Sequence, residues 1–101
     1  MVCSTETNLA ICRRDAVQEF RNFIFESWGW RCAYCDRPIH DHPTLDHVVP
    51  RFLGGSDRQS NLIPACESCN HSKGSKNLYE WFPGRSHFSE ERLQKIRDWI
   101  E

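Results

Sequence analysis

The chain has 101 residues, a net charge of −1 and 27% charged residues, and it contains six cysteines. This composition excludes a disordered chain, and no apolar run approaches the ~20 residues that cross a bilayer. A chain of this length is expected to form one domain whose modest core would gain stability from a bound metal.

The first segment, residues 1–12, shows no clear periodicity and is predicted to be a lead-in. It lacks a basic region followed by an apolar stretch, so we expect no secretory signal and a cytoplasmic protein. Paired cysteines in a reducing compartment bind metals more often than they form disulfides. Cys3 and Cys12 have no partner by spacing and are expected to be free thiols.

A flanking helix is predicted over residues 13–29, where apolar residues recur with helical spacing. Asp15 and Gln18 resemble a capping box, and Gly29 is a suitable stop. The expected apolar stripe consists of Ala16, Val17, Phe20, Phe23 and Ile24.

Two short strands and a helix are predicted within the central segment, residues 30–82. The strands are residues 44–49 and residues 61–64, which are rich in β-favouring side chains. The helix is expected to run from Cys66 to about Tyr79, although Gly74 is a weak point in it.

A closing helix is predicted within residues 83–101, after a break at Pro83 and Gly84. Ser89 is its expected N-cap, and acidic residues follow in the first turn. The apolar face is Leu93, Ile96, Trp99 and Ile100. The fold class is therefore α+β, with a ββα core between two flanking helices.

Two Cys-x-x-Cys pairs, Cys32 with Cys35 and Cys66 with Cys69, bracket the predicted strands. Each such turn presents two thiolates to one ion, and two turns complete a closed tetrahedral zinc site. A closed site leaves no position for a substrate, so this metal is expected to be structural. Two disulfides, or a redox-active dithiol, are the alternatives.

Asp46 and His47 lie side by side in the first predicted strand. A carboxylate is a hard ligand for a divalent ion, and an imidazole titrates near neutrality, so the pair suits metal-assisted hydrolysis. Neighbouring side chains of a strand point to opposite faces, so both can face one site only where the strand ends or bends.

The order and spacing of these motifs resemble the HNH endonuclease family over roughly residues 30–80. The matching stretches are Cys32-Ala-Tyr-Cys35, Leu45-Asp46-His47-Val48-Val49-Pro50, Gly54-Gly55, Asn61-Leu62-Ile63 and Cys66-Glu-Ser-Cys69-Asn70-His71-Ser72-Lys73-Gly74. The resemblance implies a ββα-metal fold with a structural Zn²⁺, and hydrolysis of phosphodiester bonds in a nucleic acid, expected to be DNA.

The resemblance also implies a role for each matching residue. His47 would be the general base, and Asn61 would brace the loop that carries it. Asp46 and Asn70 would bind the catalytic ion, Mg²⁺ or Mn²⁺ or a similar divalent ion. Lys73 resembles a helix lysine that approaches the substrate phosphate. His71 competes with Asn70 for the last motif position, but the spacing to Lys73 favours Asn70.

Other features leave the substrate contacts and the assembly open. Arg51 is a candidate phosphate contact directly after the predicted strand, although an exposed arginine is the ordinary interpretation. The near-zero charge predicts contact with few phosphates. One active site must act twice to cut a duplex, so a homodimer or a larger nuclease complex is an expected partner arrangement.

A non-catalytic zinc module that binds nucleic acid or protein is the main alternative function. It accounts for the four cysteines but not for the accompanying set of Asp46, His47, Asn61 and Asn70. A dithiol oxidoreductase would need a reactive cysteine pair near a βαβ pattern, and the sequence has no such pattern.

Overall fold

The fold is α+β, as predicted, with a two-stranded sheet near the middle of the chain and helices on either side. The computed structural model describes the backbone of residues 9–101 and the side chains of residues 14–101. The elements, in chain order, are α1 (Leu9–Ser27), β1 (Thr44–His47), β2 (Leu62–Ala65), α2 (Glu67–Lys73), α3 (Leu78–Trp81) and α4 (Glu90–Ile100).

Helix α1 begins at Leu9, four residues before the predicted start at residue 13. Asp15 is therefore inside the helix, and the predicted capping box is wrong. Gln18 instead donates a hydrogen bond to the Asn22 side chain at 2.9 Å. Alanine, leucine and arginine are strong helix formers, and residues 9–14 are rich in them.

The buried face of α1 is shifted from the predicted stripe. Ile24, Phe25 and Trp28 are buried, whereas Val17 and Phe23 are 59% and 51% exposed. Helical periodicity identifies an apolar stripe but not which part of it meets a neighbour. Among the side chains of α1 that the structure describes, residues 14–27, the buried ones lie in the C-terminal half.

Strands β1 and β2 pair antiparallel, with Thr44 opposite Ala65 and His47 opposite Leu62. All four residues of β2 are buried, so this strand is central to the core. β1 ends at His47, two residues earlier than predicted. Asp46 and His47 are thus the last two residues of β1, paired with Ile63 and Leu62, and Asp46 is buried whereas His47 is partly exposed.

The loop between the strands folds tightly onto the end of β1. Gly54 has a φ of 90°, a conformation that favours glycine. A Cβ atom on Gly55 would lie 1.7 Å from the backbone oxygen of Val49, so only glycine fits there. Two glycines therefore allow this loop to return to the end of β1.

The helical segment after β2 is divided into two, α2 and α3. α2 ends at Lys73, with Gly74 as its C-cap at a φ of 54°, and Asn77 caps α3 by accepting a hydrogen bond from the Tyr79 amide. The weak point predicted at Gly74 is therefore a helix end. Ser89 caps α4 by accepting from the Arg92 amide, as predicted.

The core is rich in aromatic rings and joins α1, β2, α3 and α4. Tyr34 and Trp81 meet edge to face with ring centroids 4.9 Å apart. The indole Nε1 of Trp99 donates to the carbonyl oxygens of Gln59 and Leu62, each at 2.9 Å. Helix α4 thereby holds the start of β2.

None of the helices in the described residues is long and apolar enough to cross a membrane.

Candidate functional site

The four predicted zinc ligands, Cys32, Cys35, Cys66 and Cys69, come together in the structure. Their sulfur atoms all lie within 4.8 Å of one another, and the Cys35 and Cys66 sulfurs are 3.8 Å apart. A tetrahedron with metal–sulfur bonds of about 2.3 Å has edges of about 3.8 Å. All four cysteines are free thiols, so the cluster is not a disulfide pair. These residues could hold one metal ion.

The electrostatics of the cluster fit a cation. Hydrogen bonding from Cys69 lowers the pKa of Cys32 to about 5, whereas burial raises the pKa of Cys35 to about 11. The pKa of Cys69 is also raised, mainly because of its hydrogen bond to Cys32. Without a cation, the cluster stabilises one thiolate at the expense of others, while a bound divalent ion would stabilise all of them.

His87 adjoins this cluster, although the sequence had indicated no role for it. Its Nε2 atom lies 3.7 Å from the Cys69 sulfur. Its Nδ1 atom is buried and has no hydrogen-bond partner among the described residues. An imidazole N–H at this distance can donate to a thiolate, which would support the ligand's charge.

Asp46 is a buried carboxylate held through one oxygen. Tyr34 donates its hydroxyl hydrogen to Oδ2, and the Lys73 ammonium lies 3.1 Å from the same Oδ2. None of the hydrogen bonds in the described part of the chain uses Oδ1. The side chain is thus fixed in orientation while one oxygen stays available as a ligand.

Burial shifts the pKa values of Asp46 and Tyr34. Desolvation raises the pKa of Asp46, and the hydrogen bond from Tyr34 and the charge of Lys73 oppose this effect. The pKa of Tyr34 is raised well above its ordinary value by burial and then by the Asp46 charge. Tyr34 therefore remains a proton donor to Asp46.

Helix α2 presents Asn70 and Lys73 to β1, because residues three apart share a helix face. The Asn70 amide nitrogen donates to the Leu45 carbonyl and the Thr44 hydroxyl, each at 3.3 Å. His71, the next residue, is exposed. The geometry therefore favours Asn70 over His71 for the last motif position, and it directs the Asn70 amide towards the strand of Asp46.

Lys73 is buried, whereas a lysine that contacts a substrate phosphate has to reach the surface. Its side chain is fully buried, and Nζ donates to the backbone oxygen of His47 at 3.1 Å in addition to pairing with Asp46. The ammonium is therefore enclosed between β1 and α2. Its position is that of a structural cation beneath the site, and not of a surface group facing a substrate.

His47 is partly exposed and contacts two charged side chains. Its Nε2 atom lies 2.7 Å from Oδ1 of Asp57. Arg51 contacts the same carboxylate oxygen through Nη2 at 3.0 Å and through Nε at 3.2 Å. The hydrogen bond with His47, together with Arg51, lowers the pKa of Asp57.

Asn61 joins the end of β1 to the loop that returns to it. Its Oδ1 accepts from the Val49 amide at 2.8 Å, and its Nδ2 donates to the backbone oxygens of Val49 and Ser56 at 3.0 and 2.8 Å. These three backbone contacts hold the returning loop against the residues that follow β1.

Residues 32–76 match the HNH endonuclease family, and this segment spans both cysteine pairs and all the motif residues described above. This segment of the chain is similar to HNH endonucleases. The segment contains His47, Asn61 and Asn70, the residues for which the resemblance implied the three motif positions.

The HNH relatives are much longer than this chain. One relative is the SPbeta prophage-derived protein YoqL of Bacillus subtilis (strain 168), which is named as an HNH endonuclease. It is 37% identical over 83 residues, which cover 69% of this chain and 35% of YoqL. The CRISPR-associated endonuclease Cas9 of Corynebacterium diphtheriae is 33% identical over 75 residues, covering 69% of this chain and 7% of that protein.

A solved structure agrees with the fold. The Type II-C Cas9 enzyme from Actinomyces naeslundii matches with a TM-score of 0.60 and 26% identity, over 80% of this chain and 12% of that chain. The described HNH fold is thus similar to one part of a much larger endonuclease.

Three residues of this HNH site carried no clear sequence signal: Tyr34, Asp57 and His87. Tyr34 stands inside the first cysteine turn, where only the two cysteines indicated a role. Asp57 lies in a Gly-Ser-Asp turn and looked like an ordinary loop residue. Their contacts join segments far apart in the sequence, which no local pattern reveals.

Proposed function

We propose that this HNH protein is a metal-dependent endonuclease that hydrolyses phosphodiester bonds in DNA. The observation that carries the proposal is that Asp46 and His47 end β1 while α2 bonds Asn70 to the Leu45 carbonyl directly before them. Asp46 is held through Oδ2 and Asn70 through its amide nitrogen, so each keeps an oxygen available. The match of residues 32–76 to HNH endonucleases supports assigning the reaction class.

Asp46 and Asn70 would hold the catalytic divalent ion, and their donor atoms fit one. Two oxygen ligands suit Mg²⁺ or Mn²⁺, since such ions retain waters and bind substrate phosphate directly. When bound, the ion would supply charge stabilisation for the phosphate oxygens in the transition state. Tyr34 and Lys73 would keep the Asp46 carboxylate oriented for that purpose.

His47 would act as the general base that takes a proton from the attacking water. Its side chain is one-quarter exposed, so the ring is accessible to water and substrate. Positioned general-base catalysis typically contributes ~10²–10⁴-fold. Asn61 would keep the end of β1, and hence the ring, in place relative to the phosphate.

Arg51 would contact the substrate phosphate. Its side chain is 71% exposed and lies beside His47, so it can reach a phosphate at the site. Lys73 would contribute indirectly, through Asp46 and the His47 backbone. This assignment replaces the direct phosphate contact that the resemblance implied for Lys73.

The four-cysteine cluster would hold a structural Zn²⁺. Four thiolates satisfy a tetrahedral zinc ion and leave no open coordination position, so this ion would take no part in hydrolysis. It would tie the start of the ββα core to α2 and so support the position of Asn70.

A non-catalytic zinc module that binds nucleic acid or protein is the second candidate. The observation that favours it is the burial of Asp46, which is only 4% exposed and already paired with Lys73. A buried ion pair can serve the fold alone. The two candidates differ in whether His47 is needed for an activity.

The assembly in which this domain cuts DNA is part of the proposal. The chain spans about a third of YoqL and 7% of the two Cas9 relatives. We infer that this domain cuts one strand at each encounter and acts on duplexes as a homodimer or within a larger nuclease complex.

Nicking of supercoiled plasmid by the zinc-loaded protein tests the proposal. The expected result is nicking with Mg²⁺ or Mn²⁺, none with EDTA, and loss in His47→Ala, Asp46→Asn and Asn70→Ala. His42→Ala, a change in the exposed loop before β1, is the matched control and should retain activity. Equal nicking by wild type and His47→Ala would indicate contamination. A folded, inactive wild type would favour the zinc module.

A further inference from the structure

We propose that Asp57 is a positioning residue that sets the tautomer and orientation of the His47 ring; this inference rests on the proposed role of His47 as the base. In this arrangement Nε2 carries the ring proton and points to Asp57. The lone pair that accepts a proton from water is then on Nδ1.

The contacts of Nε2 determine the tautomer. A carboxylate oxygen accepts hydrogen bonds and cannot donate them, so the 2.7 Å contact between Nε2 and Asp57 Oδ1 requires a hydrogen on Nε2. Arg51 Nε also lies 3.3 Å from Nε2, but two donors cannot share a hydrogen bond. Arg51 is therefore assigned to Asp57, which it contacts at 3.0 and 3.2 Å.

The backbone on both sides of Asp57 is anchored, which separates this pair from an ordinary surface ion pair. The Ser56 carbonyl accepts from the Asn61 side chain at 2.8 Å, and the Arg58 carbonyl accepts from the Asn61 amide at 2.9 Å. Asp57 thus lies between two fixed carbonyls. Asn61 also holds Val49 beyond the end of β1, so one residue fixes both partners of the His47–Asp57 contact.

The arrangement would help catalysis in two ways. It keeps the Nδ1 lone pair free and directs it away from Asp57. The ring is then already oriented to accept a proton from water, so less orientational entropy is lost in the transition state. The arrangement also places a negative charge beside the imidazolium that forms when the base takes a proton. Because Asp57 is 67% exposed, solvent screening keeps the charge effect modest.

Ring nitrogen–proton NMR of the zinc-loaded, ¹⁵N-labelled protein tests the tautomer without any nuclease assay. It is recorded at a pH where the imidazole is neutral, and the His47 signals are identified by their absence in His47→Ala. The expected result for the wild type is the Nε2–H form. In Asp57→Ala, Arg51 is free to donate to Nε2, and the ring should shift towards the Nδ1–H form. Asp41→Ala, another exposed loop aspartate, should leave the spectrum unchanged.

Kinetics on a short DNA duplex provide the second readout. Asp57→Ala should lower kcat roughly three- to tenfold with KM unchanged, and Asp57→Glu should recover part of the loss. An Nδ1–H ring in the wild type, or the same ring form in wild type and Asp57→Ala, would overturn the proposal, as would a higher kcat in Asp57→Ala. An inactive wild type with the expected tautomer would count against the nuclease assignment only.

Discussion

The Nζ atom of Lys73 lies 3.1 Å from Oδ2 of Asp46, and both side chains are almost completely buried. A buried ion pair gains little over an apolar pair of the same shape, but losing one partner leaves a costly unpaired charge. The pair therefore fixes the position of Asp46 more than it stabilises the fold. It also keeps α2, which carries Asn70, against β1.

Replacing Lys73 with Met should destabilise the protein by about 3–5 kcal/mol, because Asp46 is left as an unpaired buried charge. Urea unfolding of the zinc-loaded protein measures the change. Lys76→Met is the matched control: Lys76 donates from the surface to the Ser72 carbonyl, and its loss should have little effect. The double variant Asp46→Asn with Lys73→Met should recover much of the loss. A Lys73→Met protein as stable as Lys76→Met would show that the ion pair is not formed.

Removing the metal from the four-cysteine cluster should unfold the domain, because the clustered thiols supply much of the connection between Cys32 and α2. Titration of the thiols in the presence of a zinc-sensitive dye should release one equivalent of Zn²⁺ per chain. Circular dichroism should show loss of structure at the same point. The double variant Cys3→Ser and Cys12→Ser should still bind one equivalent. Retention of the fold after complete metal removal would contradict a structural role.

Asn61→Ala should weaken both stability and activity. Three hydrogen bonds are lost, and the Val49 and Ser56 backbone groups keep no side-chain partner, at a cost of about 1–3 kcal/mol. Displacement of His47 should lower the nicking rate about 10²-fold at a temperature where the variant is folded. Asn77→Ala removes a helix cap at a similar cost of about 1 kcal/mol, and it should leave the rate unchanged. Equal nicking rates in Asn61→Ala and Asn77→Ala would contradict the proposal that Asn61 holds His47 in place.

Stability should fall above pH 10 because of Tyr34. Its pKa is raised above the ordinary value in the folded state, so the stabilising contribution is complete below pH 10 and is lost as the pH rises towards the folded-state pKa. In this window the group contributes a slope of about 1.4 kcal/mol per pH unit. Urea unfolding at pH 9 to 11 should therefore show a shallower decline in Tyr34→Phe.

Two comparisons complete the pH experiment. At neutral pH, Tyr34→Phe should be less stable by about 1.5–3 kcal/mol, since the charged Asp46 acceptor loses a donor. Tyr79→Phe removes the hydroxyl of a tyrosine that is 51% exposed and should keep the wild-type slope. If the unfolding free energy fell equally steeply with pH in Tyr34→Phe and Tyr79→Phe, ionisation of Tyr34 would not be the cause of the loss of stability above pH 10.

The sequence by itself determined the features that depend on local chemistry. Two Cys-x-x-Cys turns predicted the cluster, because the turn itself presents both thiolates. Ser89 predicted the start of α4, because a cap acts on the amides directly after it. The motif order also indicated the α+β class and the site positions His47, Asn61 and Asn70, although the catalytic roles of these residues stay predictions.

Only the tertiary structure decided which distant residues meet. The docking of α2 on β1 placed Asn70 against the strand and left His71 exposed, and it buried Lys73 against Asp46. The return of the glycine loop brought Asp57 to His47. These contacts cross long stretches of chain, and their energies come from packing and desolvation, which the residue pattern does not encode locally. For the same reason, periodicity predicted an apolar stripe on α1 but not which half of it would be covered.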